Sequence, residues 1–267
     1  MRPRDDRMRL RDERPSRMAS MKIARLGLDR GPRYAVLDED SDEFVLLSDD
    51  PLFGSVTPTG QRLPADRARL VSPMIPRSKV VGFAGTYDEE PCATPAGLTV
   101  FLKPNTAVVG PGDPIVPPAF ADRLSHGAEL AVVIGRVAKD CPVERAGEAI
   151  FGYTVANDVT AQTRDVACAK GFDTACPLGP VIDTDADPGD LALTSRVDGR
   201  ERLSGSTGQL AFSVPELVSY ASSIFTLLPG DVILTGSPHG RGDVEPGQTV
   251  EVECEGIGVL RNPVARR

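Results

Sequence analysis

Tryptophan is absent from this 267-residue chain, histidine occurs only twice, and aromatic residues make up 5%. The five cysteines (Cys92, Cys141, Cys168, Cys176 and Cys254) form no Cys-x-x-Cys pair and no zinc-ligand spacing. So few nitrogen and sulfur donors argue against a His/Cys metal centre, and any metal has to be held by oxygen. The cysteines read as free thiols of a reducing compartment, which makes a cytoplasmic location the expectation. Positive charge is in deficit: 30 Lys and Arg against 38 Asp and Glu leave a formal net charge of -8. That balance disfavours nucleic acid or an anionic membrane as partner. No apolar run reaches the length needed to span a bilayer.

What remains is the composition of an ordinary globular protein, 40% hydrophobic and 25% charged. Residues 1–20, "MRPRDDRMRLRDERPSRMAS", stand apart, Arg-rich with interspersed acids and without the apolar centre of a signal peptide. They read as a disordered tail or an over-long start, with Met21 as the first residue. Residues 21–70 carry three strand-like runs, "KIARLGL", "RYAVLDE" and "EFVLLS", followed by the Pro-rich "TPTGQRLPADRARLVSPMIPRSK", which reads as a linker. This is a small β-rich N-terminal domain. Residues 71–267 form a longer region of β-branched runs closed by Gly, Pro or Asp, among them "KVVGFAG", "TVFLKP", "ELAVVIGRV", "FGYTVANDVT" and "GDVILTGS". Two helices are expected. One is "PVERAGEAIF". The other is "SVPELVSYASSIFTL", where Ser213 and Glu216 make a capping box and Leu217, Ala221, Ile224 and Phe225 share a face. Too few helices separate the strands for a doubly wound sheet, so the fold class is a β-rich α+β.

Four segments are polar where a pure core would be apolar: Glu129 at the mouth of the 130–134 strand, Asn157 and Asp158, Lys170 and Asp173, and the stretch Thr235 to His239. Polar groups at the ends of apolar strands, beside turn glycines, are where active sites collect. Each also has a plain explanation as a solvated strand end, a turn residue or a surface charge.

Taken together they carry a resemblance. "FLKP", "VGPGDPIVPP", "GAELAVVIGR", "GYTVANDVTA", "KGFDTACPLGP", "LLPGDVILTGSPHG" and "GQTVEVECEGIGVLRNPV" resemble the C-terminal domain of the fumarylacetoacetate hydrolase family. The likeness runs from about residue 79 to 264, and "MKIARL" with "LLSDDPLFGSVTPTG" is similar to that family's small N-terminal domain. It implies a mixed β-roll, a homodimer, a small-molecule substrate and a divalent cation, Mg²⁺ or Mn²⁺, held by three carboxylates. Glu129 and Asp158 fall on two of those ligand positions. A 2-oxo acid chelates such a cation through carboxylate and ketone, and the enolate that follows is common to hydrolases, decarboxylases and isomerases. Lys170 matches a lysine that binds an oxyanion or carboxylate. Glu90 and Thr235 are further candidates for catalysis, and Tyr87, Lys103, Gln162, Asp173, Gly236 and Ser237 for substrate binding.

The match breaks at the chemistry. The family reads Glu-x-Glu where this chain has Gly127-Ala128-Glu129, and alternation along a strand puts His126 on the opposite face. Asp165 and Asp173 are the nearest acids that could enter instead. After "KVVGFAG" the chain has Thr86 and Tyr87 in place of Asn-Tyr and no histidine to activate water, leaving Glu89 or Glu90 as a base. Ala161, Gln162, Thr163 and Arg164 replace the usual Ala-Arg-Asp stretch. Three readings follow: an enzyme of 2-oxo or 1,3-dicarbonyl acids with a weakened metal site, of hydrolase, lyase or isomerase type; a metal-independent isomerase or cyclase; or a non-catalytic binding protein or paralogue.

Overall fold

The strand Ala128–Ile134 is buried at every position, which requires cover on both faces as well as partners on both edges. The structure, a computed structural model, describes residues 21–240 and 242–266 and supplies both. The expectation for residues 1–20 lies outside the described residues. Ala128–Ile134 pairs antiparallel with Ile150–Asn157 on one edge and with Val232–Leu234 on the other. These belong to a twelve-stranded sheet that continues through Cys176–Asp183 in one direction and Val80–Ala84 and Thr99–Lys103 in the other. Pairing is antiparallel throughout except where Val232–Leu234 meets Val80–Ala84 and Cys176–Asp183 meets Val108–Val109. A second sheet of Arg200–Ser206, Ala192–Val197, Thr249–Cys254 and Gly258–Pro263 packs against the central strands.

The N-terminal strands join the same sheet. Lys22–Leu28 pairs with Cys176–Asp183, and Gly31–Asp38, Glu43–Leu47 and Pro58–Pro64 follow outward as a meander. Pro58–Pro64 corrects the linker expected there. Its burial pattern is almost wholly exposed, so it carries no alternation of apolar and polar residues for a sequence reading to detect. It is an edge strand, where proline is tolerated.

Three α-helices are described: α1 Val143–Ala146, α2 Val166–Gly171 and α3 Val214–Ile224. In α1 the expected helix is cut short: a 3-10 turn follows at Gly147–Ala149, and Ile150 and Phe151 already belong to a strand. In α3 the cap forms as the spacing predicts, the Glu216 carboxylate accepting from the Ser213 backbone N–H at 2.8 Å and from its hydroxyl at 2.6 Å. Val214, Leu217, Val218 and Ala221 are buried, but Ile224 is 42% exposed at the frayed last turn. Tyr220 of α3 lies over Phe83 with ring centroids 6.0 Å apart, which seats the helix on the Val80–Ala84 strand. The third helix, α2, was not foreseen. Its six residues are too few to show a period, and Asp165 caps it by accepting from Cys168 N–H at 3.1 Å.

Candidate active site

Four charged side chains lie buried at one end of the central strands: Lys103, Glu129, Asp158 and Lys170. Each arrives by a different route. Glu129 is the second residue of Ala128–Ile134, directly opposite Ala156. Asp158 follows the neighbouring strand Ile150–Asn157, where its backbone N–H donates to Gly127 O at 2.9 Å. Asn157 clips the same corner from the other side, its Oδ1 accepting from Gly127 N–H at 3.2 Å. Lys103 ends the strand Thr99–Lys103, and Lys170 projects from α2.

The Asp158 carboxylate joins them. Lys103 Nζ is 2.9 Å from Oδ1, and Lys170 Nζ donates to Oδ2 in a short bond. Lys103 also donates to Val159 O at 2.9 Å and Ala175 O at 2.8 Å. Lys170 donates a second bond to Thr160 Oγ1 at 2.7 Å and sits 4.4 Å from the centre of the Phe101 ring. Burial alone would raise the Asp158 carboxyl, but the Lys103 and Lys170 ammonium groups outweigh it and hold the group below the ordinary carboxylate range. Of this trio only Lys170 reaches solvent, with 10% of its side chain exposed.

Glu129 is tied from the opposite direction. Gly236 N–H donates to its Oε2 at 2.8 Å. Gly236 adopts φ +96°, a conformation suited to glycine, and a Cβ there would overlap Thr86 Oγ1. Thr86 in turn donates to Thr235 O at 2.8 Å, fastening the loop after Val80–Ala84 to the end of Val232–Leu234. Tyr87, next in that loop, is 8% exposed, and its hydroxyl has no hydrogen-bond partner among the described residues. Burial first, and then the negative charge of Glu129, push its phenol far above the ordinary range, so it stays neutral and protonated.

Cys176, which the sequence did not single out, is the fifth member. Burial pushes its thiol up to about 12, with Lys103 and Lys170 lowering it and Asp158 and Glu129 raising it. No sequence pattern marks it; its place follows from the pairing of Cys176–Asp183 with Ile150–Asn157.

Several expected site residues lie elsewhere or are committed to structure. Lys103 is fully buried, ion-paired with Asp158 and bonded to Val159 O and Ala175 O. The Thr235 hydroxyl donates to Leu130 O at 2.9 Å, as a buried hydroxyl at a strand end must find a partner. Gly236 has spent its N–H on Glu129, and Ser237 donates to its neighbour's carbonyl, Pro238 O, at 3.3 Å. Gln162 is exposed and donates to Asp243 Oδ1 at 3.3 Å. Glu90 and Asp173 are exposed and make no bond to the buried cluster. Asp165, considered as a replacement ligand, is spent on the α2 cap.

The donor set does not fit a resident divalent cation. Hard cations are held by several oxygens, yet both Asp158 oxygens already face ammonium groups and Gly127 supplies no side-chain oxygen. His126 does not fill the gap: its Nδ1 is 2.9 Å from Gly242 O and its Nε2 2.8 Å from Ser195 Oγ. Among the described residues no group of three or more His, Cys, Asp or Glu side chains is arranged around a metal position.

Comparison with known proteins agrees with this architecture. A model described as fumarylacetoacetate (FAA) hydrolase C-terminal matches residues 80–265, and one described as Rv2993c-like, N-terminal, matches residues 21–73. A solved structure of 5-carboxymethyl-2-hydroxymuconate delta-isomerase from Mycobacterium smegmatis is 42% identical, with a TM-score of 0.85 over 92% of this chain and 100% of that one. Oxaloacetate tautomerase FAHD1 of Arabidopsis thaliana, a mitochondrial protein, is 40% identical over 66% of this chain and 83% of its own length. Maleylpyruvate hydrolase from Sphingobium sp. SYK-6, solved with manganese(II) and pyruvate, is 29% identical with a TM-score of 0.78 over 92% of this chain and 99% of that one. With its C-terminal model matched over most of the length and relatives of 40% identity, the chain belongs to the fumarylacetoacetate hydrolase family, whose members include isomerases, tautomerases and hydrolases.

Proposed function

We propose that this protein is an enzyme that moves a proton on the carbon next to the ketone of a 2-oxo or 1,3-dicarbonyl acid, interconverting keto and enol forms. The observation that carries this reading is that a carboxylate (Glu129), an ammonium (Lys170, fastened to Asp158) and a neutral phenol (Tyr87, which feels the Glu129 charge) are all buried at strand ends of the same sheet. Those are the three groups that keto–enol conversion uses. The Glu129 carboxylate takes a proton from the α-carbon, and the electron pair released moves onto the ketone oxygen. The Lys170 ammonium, held in place by Asp158 and Thr160, stabilises the negative charge on that oxygen. The Tyr87 phenol gives its proton to that oxygen, forming the enol, and Glu129 passes the proton it took from carbon to the Tyr87 phenolate, which restores both groups; the reverse sequence returns the ketone, and no water is consumed. Lys170, the member of the Asp158 trio that solvent touches, faces the incoming substrate anion.

The names of the tautomerase and isomerase relatives support the same class. The name of the maleylpyruvate hydrolase favours a second reading, cleavage of a C–C bond. That reaction needs a group to activate water, a role typically worth 10²–10⁴-fold, and Glu90, the base expected for it, stands exposed outside the cluster.

The test is deuterium exchange from solvent into a panel of 2-oxo and 1,3-dicarbonyl acids, followed by NMR alongside product analysis. Exchange faster than hydrolysis, abolished in Glu129→Gln and cut by at least about 100-fold in Lys170→Met, is expected. Rapid hydrolysis indifferent to both substitutions would overturn the placement. Binding of these acids without exchange or turnover would make the protein a binder.

A further inference from the structure

We infer that the Lys170 ammonium occupies the role of the divalent cation held by related proteins, so that this chain binds no resident Mg²⁺ or Mn²⁺. Three observations lead there.

The first concerns space. A Cβ added at Gly127 would lie 3.4 Å from Ser237 Cβ and 3.6 Å from Asp158 Cβ, at ordinary van der Waals distance. A Cβ therefore fits at Gly127 beside the Asp158 corner, where Asp158 O is also 3.4 Å away, and the position lacks the side-chain oxygen donor that a cation would need. Its backbone does not require glycine either, since it is absent from the positive-φ residues.

The second concerns charge. Lys103, Lys170, Asp158 and Glu129 bring two positive and two negative charges, all buried. A divalent cation beside Asp158 would meet the Lys103 and Lys170 ammonium groups at close range in a medium of low dielectric constant, and that repulsion opposes its entry. To reach Asp158 the ion would have to expel Lys170 and then share the carboxylate with Lys103.

The third concerns the lysine. Lys170 is not a loose surface group that a metal could push aside. Asp158, Thr160 and the Phe101 ring hold it from three directions, and the capped α2 carries it there. A fixed ammonium stabilises a developing oxyanion as a cation does, but it cannot chelate carboxylate and ketone together. The ligand class that fits is therefore a carboxylate-bearing ketone bound as a single anion on Lys170.

Manganese(II) binding, read by loss of the free aqua-ion signal in electron paramagnetic resonance, tests this without reference to activity. Four proteins are compared: the full chain, Glu129→Gln, Gly127→Glu, and Gly127→Glu combined with Lys170→Met. The full chain is expected to take up no stoichiometric Mn²⁺ up to about 1 mM, the range of weak carboxylate sites. The double variant, with three carboxylates and one lysine fewer, is expected to bind at least about tenfold more tightly than the full chain. Gly127→Glu alone should fall between, because Lys170 still holds Asp158. One equivalent of Mn²⁺ bound by the full chain below about 0.1 mM, and lost in Glu129→Gln, would overturn the inference. If the double variant proves unfolded by circular dichroism, the full chain and Glu129→Gln decide the matter alone. The inference does not rest on the proton-transfer reading: absence of deuterium exchange would remove that reading and leave this one standing.

Discussion

Lys103 Nζ lies 2.9 Å from Asp158 Oδ1, and neither side chain has any exposure to solvent. Through its bonds to Val159 O and Ala175 O, this ammonium joins the end of one strand to two turns that flank the site. Asp158 in turn pairs with Lys170, the one of the three that solvent reaches. The pair is a foundation beneath the site, and its removal has consequences for stability before any for chemistry.

Lys103→Met keeps the length of the stem and removes the charge. Breaking a buried pair leaves Asp158 with one ammonium partner and Val159 O without its lysine donor, while Ala175 O keeps the Val159 N–H; such a loss typically costs about 3–5 kcal/mol. Urea unfolding should show the midpoint shifted accordingly. A midpoint like that of the unmodified protein would mean that the pair does not form in solution.

The same pair sets a pH dependence. Asp158 is held below its unfolded value of about 3.9 because Lys103 and Lys170 overcome the opposing effect of burial. A depressed carboxyl contributes stability that is present above the unfolded value and is lost as pH falls through the folded one. The melting temperature of Asp158→Asn should therefore lie well below that of the unmodified protein at pH 7 and pH 5. The gap should narrow below about pH 4. A gap that stays constant down to pH 3 would contradict the ion pairs.

Thiol reactivity reads the closure of the site. Burial pushes Cys176 and Cys254 up to about 12, whereas Cys168 is exposed on α2. Alkylation at pH 8 followed by mass spectrometry should label Cys168 and leave Cys176 and Cys254 unmodified until denaturant is added. Labelling of Cys176 in the native protein would show that the cluster opens to solvent.

Gly236→Ala should do more damage than its size suggests. The added methyl overlaps Thr86 Oγ1, disturbs the Thr86–Thr235 bond and displaces the N–H that holds Glu129. Gly60 is the matched control, at φ +82° with nothing within 4 Å of an added Cβ. Gly60→Ala should cost about 1 kcal/mol from backbone strain alone, and Gly236→Ala clearly more. Equal losses in thermal unfolding would mean that the Thr86 contact is soft.

Local signals explain which elements the sequence announced. The runs around 22–28, 99–103, 128–134 and 249–254 are dense in β-branched residues between turn formers, and each is a strand. The Ser213–Glu216 cap and the apolar spacing behind it marked α3. The exposed edge strand Pro58–Pro64 and the six-residue α2 gave no such signal, because one has no buried face and the other too few turns to show a period.

The sequence by itself determined the family, the β-rich α+β architecture and the presence of Gly127 where the resemblance implies a carboxylate, since each is written in contiguous residues. It also marked Glu129, Asp158 and Lys170 as candidates, and all three are buried. Only the tertiary structure decided what these groups do to one another. Lys103 and Asp158 are 55 positions apart along the chain, and nothing local to either reveals that Asp158 is spent on two lysines. Nor does local pattern show that the Thr235 hydroxyl turns to Leu130 O, 105 residues away, or that Cys176 lies among the four charges. The physical reason is that a buried charge or hydroxyl takes whatever partner the packed strands bring within about 3 Å, and that partner is set by sheet order rather than by neighbours in sequence.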